Sequence, residues 1–316
     1  PMKTLRKKLV SVLSEQPLLL PPPGESAIIA CSGGLDSMML ARLMVPVLAQ
    51  QGSRCVLALM DHGWRPDDAS REHDFVRDIA HELGAQFLWA RRSTPRPRVR
   101  AVGREAAARE QRRLWLGYIA RKEQAKRIYI GHHRDDQLET ILLRRAEGVP
   151  QNRAASMSPL NDVLARPLLD FTKVELELIA RKHKFEWMDD PSNADLSLRR
   201  NNIRQKLAAV NRYEDRQWVE ETLAQGLSAR GYLDQLQRQA DKALETLLRN
   251  GREGDRQLEV SASILTGLDE DVAVLCLQRL CVAEHSCSRV PQRRALKPLL
   301  QALSRPGRAR LFHLGA

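Results

Sequence analysis

The stretch Ile28-Ile29-Ala30-Cys31-Ser32-Gly33-Gly34-Leu35-Asp36-Ser37 decides the fold. Ile28 to Cys31 is an apolar run that reads as a buried strand, two glycines flanked by serines read as a tight turn, and Met38 to Leu43 opens a helix. Glycines let a backbone bend closely around an anion, and the free N–H groups and positive dipole end of the next helix face the same space. Ser32, Gly33, Gly34, Leu35, Asp36 and Ser37 are therefore the candidate phosphate site, with hydroxyl donors from the two serines. Asp36 repels phosphate and suits a ligand for an accompanying magnesium ion. A plain junction between strand and helix has the same outline. The turn holds no lysine, so it is not the phosphate loop ending in Gly-Lys-Ser or Gly-Lys-Thr, and it lacks the third glycine of the dinucleotide fingerprint.

The chain has 316 residues, 43% of them hydrophobic, enough for two or three domains with a sizeable core in the largest. A formal net charge of +12 favours an acidic partner such as nucleic acid, although solubility or genomic arginine bias also produces such an excess. The five cysteines form no Cys-x-x-Cys pair, which fits a reducing compartment. Cys281, His285 and Cys287 are close enough in sequence to keep a weak metal reading open. No apolar stretch approaches a membrane span and no signal peptide is visible, so no membrane partner is expected and the cytoplasm is the expected location.

From the opening stretch outward, strands and helices alternate with short connections, the pattern of a parallel sheet covered on both faces. Residues Met2 to Leu20 carry Lys3, Arg6, Lys7 and Lys8 ahead of unevenly spaced leucines, a short helix on the first domain. Cys55 to Met60 is a second strand ending at Asp61 and His62, Phe87 to Trp89 a third, and Ile128 to Gly131 a fourth. Between the last two lies Arg91 to Arg100, an exposed cationic loop with two prolines suited to phosphate contacts, then a helix from Gly103 to about Lys122 bearing Arg109 and Arg112. In such sheets ligands bind at the carboxyl ends of the strands. His62 is equally well explained as a structural histidine.

The fourth strand delivers His132-His133-Arg134-Asp135-Asp136-Gln137-Leu138-Glu139-Thr140. Asp136 and Glu139, three residues apart, share one side of a helix, and with His132 they face the cavity. Carboxylates there suit magnesium or an ammonium group, and Asp135 or Asp136 also suits a helix cap. From Glu214 to Arg249 the pattern is helical, as one helix or as two divided near Gly231, and Arg293, Arg294, Lys297, Arg305, Arg308 and Arg310 give the chain's end a cationic face. The expected domains are 1–211, of alternating strands and helices, and 212–316, helical.

The run Ser32 to Ser37 resembles the pyrophosphate-binding loop of the N-type ATP pyrophosphatases. Further segments resemble the tRNA(Ile)-lysidine synthetase family: Asp61-His62-Gly63-Trp64-Arg65, Glu105 to Glu110, the run at His132, Arg166-Pro167-Leu168-Leu169, Asp189-Asp190-Pro191-Ser192-Asn193, and Arg200-Asn201-Asn202-Ile203-Arg204. The match runs in consistent order over roughly the first two thirds of the chain. It implies an α/β, Rossmann-like ATP pyrophosphatase domain on a parallel sheet, followed by a smaller all-helical domain. Two departures stand out. Asp61 replaces the family's usual asparagine, and Val149 to Met157 lacks the glycine-rich character usual there, which bears on the substrate-side loop. The chain looks like a short form of the family.

The resemblance implies that ATP adenylates the C2 oxygen of the wobble cytidine in isoleucine tRNA with a CAU anticodon. The ε-amine of free L-lysine then attacks C2. Asp36 is the expected magnesium ligand, and Asp36, His132, Asp136 and Glu139 are the expected catalytic set. Asp136 and Glu139, which the resemblance makes lysine-binding, are joined as expected substrate contacts by Asp61, His62, Arg65, Arg109, Arg112, Asn193, Arg200, Asn201 and Arg204. Another tRNA-modifying ATP pyrophosphatase, such as a thiolating enzyme, and an inactive RNA-binding paralogue are the alternatives. Neither the oligomeric state nor the group that deprotonates lysine is legible.

Overall fold

A computed structural model describes residues 2–61, 66–91, 104–188, 203, 216–249, 252–254, 257–259, 262–283 and 291–304. The chain folds as two compact units, one of residues Pro1–Val149 with Ser156–Ala224, the other of Pro150–Ala155 with Gln225–Ala316. The boundary expected near residue 211 falls outside the described residues.

In the first unit a six-stranded sheet runs in the order β3-β2-β1-β4-β6-β5. Its strands are β1 (Ala27–Cys31), β2 (Cys55–Asp61), β3 (Gln86–Arg91), β4 (Arg127–Tyr129), β5 (Leu160–Asn161) and β6 (Leu164–Ala165). All neighbours are parallel except β5 and β6, and β1 pairs with β2 in the register Ala27 with Cys55 through Cys31 with Leu59. The central strands are apolar at nearly every position because both faces are covered. Alternate residues serve different cores. Ile29, Leu57 and Leu59 face α1 (Met2–Glu15), α2 (Leu35–Gln50), α3 (Pro66–Leu83) and, further on, the helix Lys173–Lys182, whereas Ile28, Val56 and Ala58 pack with Leu116, Ile119 and Ala120 of α4 (Arg104–Lys122). The α2 helix is apolar around most of its circumference and accordingly buried, with Leu35, Met38, Met39, Leu40, Leu43, Met44 and Leu48 all in the core.

The chain order reverses between β1 and β4, neighbours whose following helices are α2 and α5 (Arg134–Ala146). That reversal is where an open α/β sheet leaves a crevice beyond its strand ends. Below it, α6 (Lys173–Lys182) begins with a capping box in which Thr172 Oγ1 accepts the Glu175 amide at 3.1 Å and Glu175 accepts the Thr172 amide at 2.7 Å.

A single long helix, α7 (Arg216–Arg249), starts in the first unit, where Val219 and Leu223 pack on Leu138 and Ile141, and passes Gly231 without a break. The alternative of two helices is not realised. In the second unit Leu236, Ala240, Ala243 and Leu247 form one stripe of α7 packed against α8 (Ala262–Thr266), α9 (Glu270–Ala283) and α10 (Arg293–Leu303). A short antiparallel hairpin, β7 (Arg252–Gly254) with β8 (Gln257–Glu259), joins this helical region. Asp271 gathers Arg153, Arg293 and the Tyr232 hydroxyl, the last at 3.1 Å, so Arg153 anchors the glycine-poor stretch after Gly148 within the second unit. Two members of the expected cationic face, Arg293 and Lys297, are thus engaged by acids, Lys297 with Glu270 at 2.8 Å. Arg305, Arg308 and Arg310 lie outside the described residues.

Candidate active site

The turn after β1 closes on itself through its own hydroxyls. The Ser32 amide donates to Ser37 Oγ at 3.2 Å, Ser37 Oγ donates to the Gly34 carbonyl at 3.0 Å, and the two serine oxygens are 3.3 Å apart. Gly33 adopts φ +73°, a conformation that favours glycine, and Gly34 is the N-cap of α2. The Met188 amide donates to the Gly33 carbonyl at 2.9 Å, and a Cβ on Gly33 would stand 3.6 Å from the Met188 sulfur. The first-turn amides of α2, with the dipole behind them, make this loop an anion seat without any lysine.

Across the crevice, Gly131 follows β4 and brings the chain against the start of α2. His132 is half-buried and held from behind, with Arg166 Nε donating to its Nδ1 at 3.2 Å and an Arg166 terminal nitrogen donating to the Ser158 carbonyl at 2.8 Å. Burial lowers the Arg166 pKa. Gln137, buried on α5, accepts the Met157 amide at 2.9 Å and ties down the end of the glycine-poor stretch. Asp136 Oδ2 accepts the His133 amide at 2.9 Å, so the helix-capping role weighed for this residue is realised. Glu139 is buried one turn further along α5, only 3% exposed.

His133 joins the two sides. Its Nε2 lies 3.6 Å from Asp36 Oδ2 and 3.5 Å from Asp136 Oδ2, and its Nδ1 lies 3.3 Å from Asp135 Oδ2. Burial is the largest single influence and disfavours the charged ring, but Asp135, Asp36 and Asp136 together outweigh it and push the pKa up to about 10. Asp135 is burdened by burial too, yet the imidazole and the Lys173 amide, 2.9 Å away, leave its pKa lowered.

The surroundings of Asp36 fit the expected magnesium ligand. Its Oδ1 is shielded from solvent and accepts no hydrogen bond among the described residues. Among those residues no group of three or more His, Cys, Asp or Glu could hold a metal ion. One carboxylate completed by phosphate oxygens and water is the arrangement magnesium uses with nucleotides.

Of the residues expected from sequence, Asp36 and Asp136 meet at His133, His132 is held by Arg166, and Glu139 is buried on α5. Asp61, at the end of β2, is buried and pairs with Arg91 at 3.1 Å, so the charge that replaces the family's usual asparagine is balanced within the sheet. Arg109 and Arg112 are exposed on α4. His62, Arg65, Asn193, Arg200, Asn201 and Arg204 lie outside the described residues, as do most of the Arg91–Arg100 loop, His285 and Cys287, while Cys281 is buried in α9. Sequence reasoning missed His133, Gln137 and Gly131. The one sequence signal for His133 is its place in the polar run directly after β4.

A parallel sheet with a glycine-serine turn on one side of its switch point and carboxylates on the other is the arrangement of a PP-loop domain. The PP-loop domain family matches residues 3–211. The U34-tRNA thiolase NcsA from Methanococcus maripaludis shares the fold at a TM-score of 0.58, with 18% identity over 73% of this chain and 78% of its own. The tRNA(Ile)-lysidine synthase of Gloeobacter violaceus is 31% identical across 97% of this chain and 90% of its own length. That of Thermus thermophilus is 37% identical over 188 residues, 59% of this chain but 36% of the longer relative. The chain belongs to the tRNA(Ile)-lysidine synthase family. It spans little more than a third of the length of the Thermus relative.

Proposed function

We propose that the protein joins lysine to C2 of the wobble cytidine of isoleucine tRNA with a CAU anticodon, at the expense of ATP. The observation that carries the reading is His133, which brings the phosphate-loop carboxylate Asp36 and the helix carboxylate Asp136 within ion-pair range of one ring. An anion seat and an ammonium seat thereby share one crevice. The C2 oxygen attacks the α-phosphorus of ATP and pyrophosphate leaves, its charge met by the α2 amides and the Ser32 hydroxyl. A magnesium ion held by Asp36 and phosphate oxygens would supply further charge neutralisation there.

Lysine's ε-amine is mostly protonated near neutral pH, because its ordinary pKa is about 10.4. Asp136 and Glu139 attract that ammonium group. We assign the proton acceptor to Glu139, the carboxylate one turn further along the same helix face and 3% exposed. The neutral amine adds to C2 and AMP departs with the former C2 oxygen. A single-stranded anticodon base reaches such a pocket at low cost.

Residues 1–211 are the proposed catalytic domain and 212–316 the proposed tRNA-binding helical domain. The cytoplasm, where tRNA and ATP occur together, is the proposed location, and no described helix is long and apolar enough to cross a membrane. The remaining sequence expectations, from Asp61 and His62 through Arg65, Arg109 and Arg112 to Asn193, Arg200, Asn201 and Arg204, are proposed tRNA or nucleotide contacts. The test is transfer of radiolabelled lysine to isoleucine tRNA with ATP and magnesium. Label confined to that tRNA supports the reading, and pyrophosphate release without label defeats it.

A further inference from the structure

The α1 helix carries its charges against its own dipole. Lys3, Arg6, Lys7 and Lys8 all fall in its first two turns, no acid occupies the first turn, and Glu15 stands in the last. Cations are favoured at the opposite end. Only Lys8 is balanced, by Glu175 at 2.9 Å. Lys3, Arg6 and Lys7 are exposed, and among the described residues none of them forms an ion pair. Residues 3 and 7 are one turn apart, and residue 6 lies beside them, so the three form one solvent-facing cationic stripe.

The contacts of α1 place that stripe at the open end of the sheet. Just past the helix, the Leu18 carbonyl accepts from Arg127, the first residue of β4, at 2.8 Å. That end of α1 therefore lies near the amino ends of the strands, and its first turns, roughly 20 Å away at 1.5 Å per residue, point toward their carboxyl ends. The Lys8–Glu175 pair confirms the direction, because Glu175 sits in the first turn of α6, whose Lys173 amide is bonded to Asp135 beside His133. Local breaks in helix electrostatics are expected at functional or strained positions.

We propose that Lys3, Arg6 and Lys7 form a phosphate-backbone contact for a structured RNA whose reacting base lies in the crevice. The inference rests on the tRNA reading above and adds a docking surface to it. Exposed cations neutralise phosphates and position the polyanion without reading its bases.

The test is the triple variant Lys3→Gln, Arg6→Gln, Lys7→Gln. Its binding to isoleucine tRNA is measured by fluorescence anisotropy across a salt series, alongside its thermal midpoint and lysine transfer at saturating tRNA. We expect the slope of log Kd against log salt to become shallower by about two to three, reflecting up to three lost phosphate contacts. The thermal midpoint should stay level or rise, because the removed charges oppose the helix dipole. An unchanged affinity and slope overturns the proposal even if lysine transfer confirms the enzyme, and so does a weakened affinity explained by a lowered midpoint. If the wild-type protein binds tRNA with a slope that the variant reduces but transfers no lysine, the docking surface stands and the lysidine reading falls. A wild-type protein that binds no RNA, or that binds vesicles of phosphatidylserine and phosphatidylcholine instead, overturns both.

Discussion

Gly131 and Asp36 are in such close approach that a Cβ on Gly131 would lie 2.9 Å from the Asp36 carbonyl oxygen and 3.2 Å from the Ser37 amide nitrogen. Both obstructing atoms belong to backbone at the start of α2, which has no flexible end to move aside. The end of β4 and the phosphate loop are thereby set at a fixed separation, and the carboxylates of α5 face the anion seat across it.

Gly131→Ala must therefore push α2 or β4 apart. Overpacking of this kind costs about 1–3 kcal/mol. We expect a lowered thermal midpoint together with a larger loss of ATP-dependent pyrophosphate release, because the loop moves relative to α5. Wild-type values of both would show that the two backbones separate freely.

His133 predicts a pH profile for the metal-free protein. Its folded pKa, about 10, lies above the ordinary value of 6.5. The stability it contributes is therefore fully present below about pH 6.5 and is lost as pH rises through about 10. His133→Gln should remove that component, flatten the denaturant midpoint over this window, and cost about 2 kcal/mol at neutral pH. That is less than the ~3–5 kcal/mol of a fully buried pair, because Asp36 and Asp135 reach solvent. Titration of the His133 ring by NMR with a midpoint near or below the ordinary value of 6.5 would contradict the arrangement.

His133 also shows where sequence reading stops. The strand-turn-helix at Ile28 to Ser37 was legible because every feature it needs is local: an apolar run, two glycines, and the helix that follows. Asp136 and Glu139 were legible through helical spacing after a strand. The part played by His133 depends on Asp36, which arrives from a different strand end, and only the strand order places the two side by side. Gly131 gives no sign in sequence that a backbone passes within van der Waals distance. Arg153 and Asp271 meet across a long chain separation for the same reason, and the unbroken α7 reflects packing of its leucine and alanine stripe, which overrides the weak helix propensity of Gly231.

Asp36→Asn keeps the size of the side chain and removes its charge. We expect loss of magnesium-dependent pyrophosphate release by about two orders of magnitude or more, as for removal of one preorganised electrostatic group. Affinity for tRNA should change little, because the phosphate-backbone contacts proposed for α1 lie elsewhere. Equal loss of RNA binding and turnover would place Asp36 in RNA docking instead.

Asp136 and Glu139 lie on the same helix face but are embedded differently, and neutral replacements should separate them. Asp136→Asn weakens the contact to the His133 amide and leaves the protonated ring with one carboxylate fewer, so we expect a stability loss of about 1 kcal/mol, typical of a lost helix cap, along with impaired transfer. Glu139→Gln changes no cap. Lysine transfer should fall while pyrophosphate release supported by tRNA persists, because adenylation precedes the step that needs a base. Raising pH supplies more neutral lysine from solution, so the transfer defect of Glu139→Gln should shrink between neutral pH and lysine's ordinary pKa of about 10.4. A defect that stays constant over that range, measured by single-turnover transfer from pre-adenylated tRNA, would remove Glu139 from proton transfer and leave it as a binding group for the ammonium.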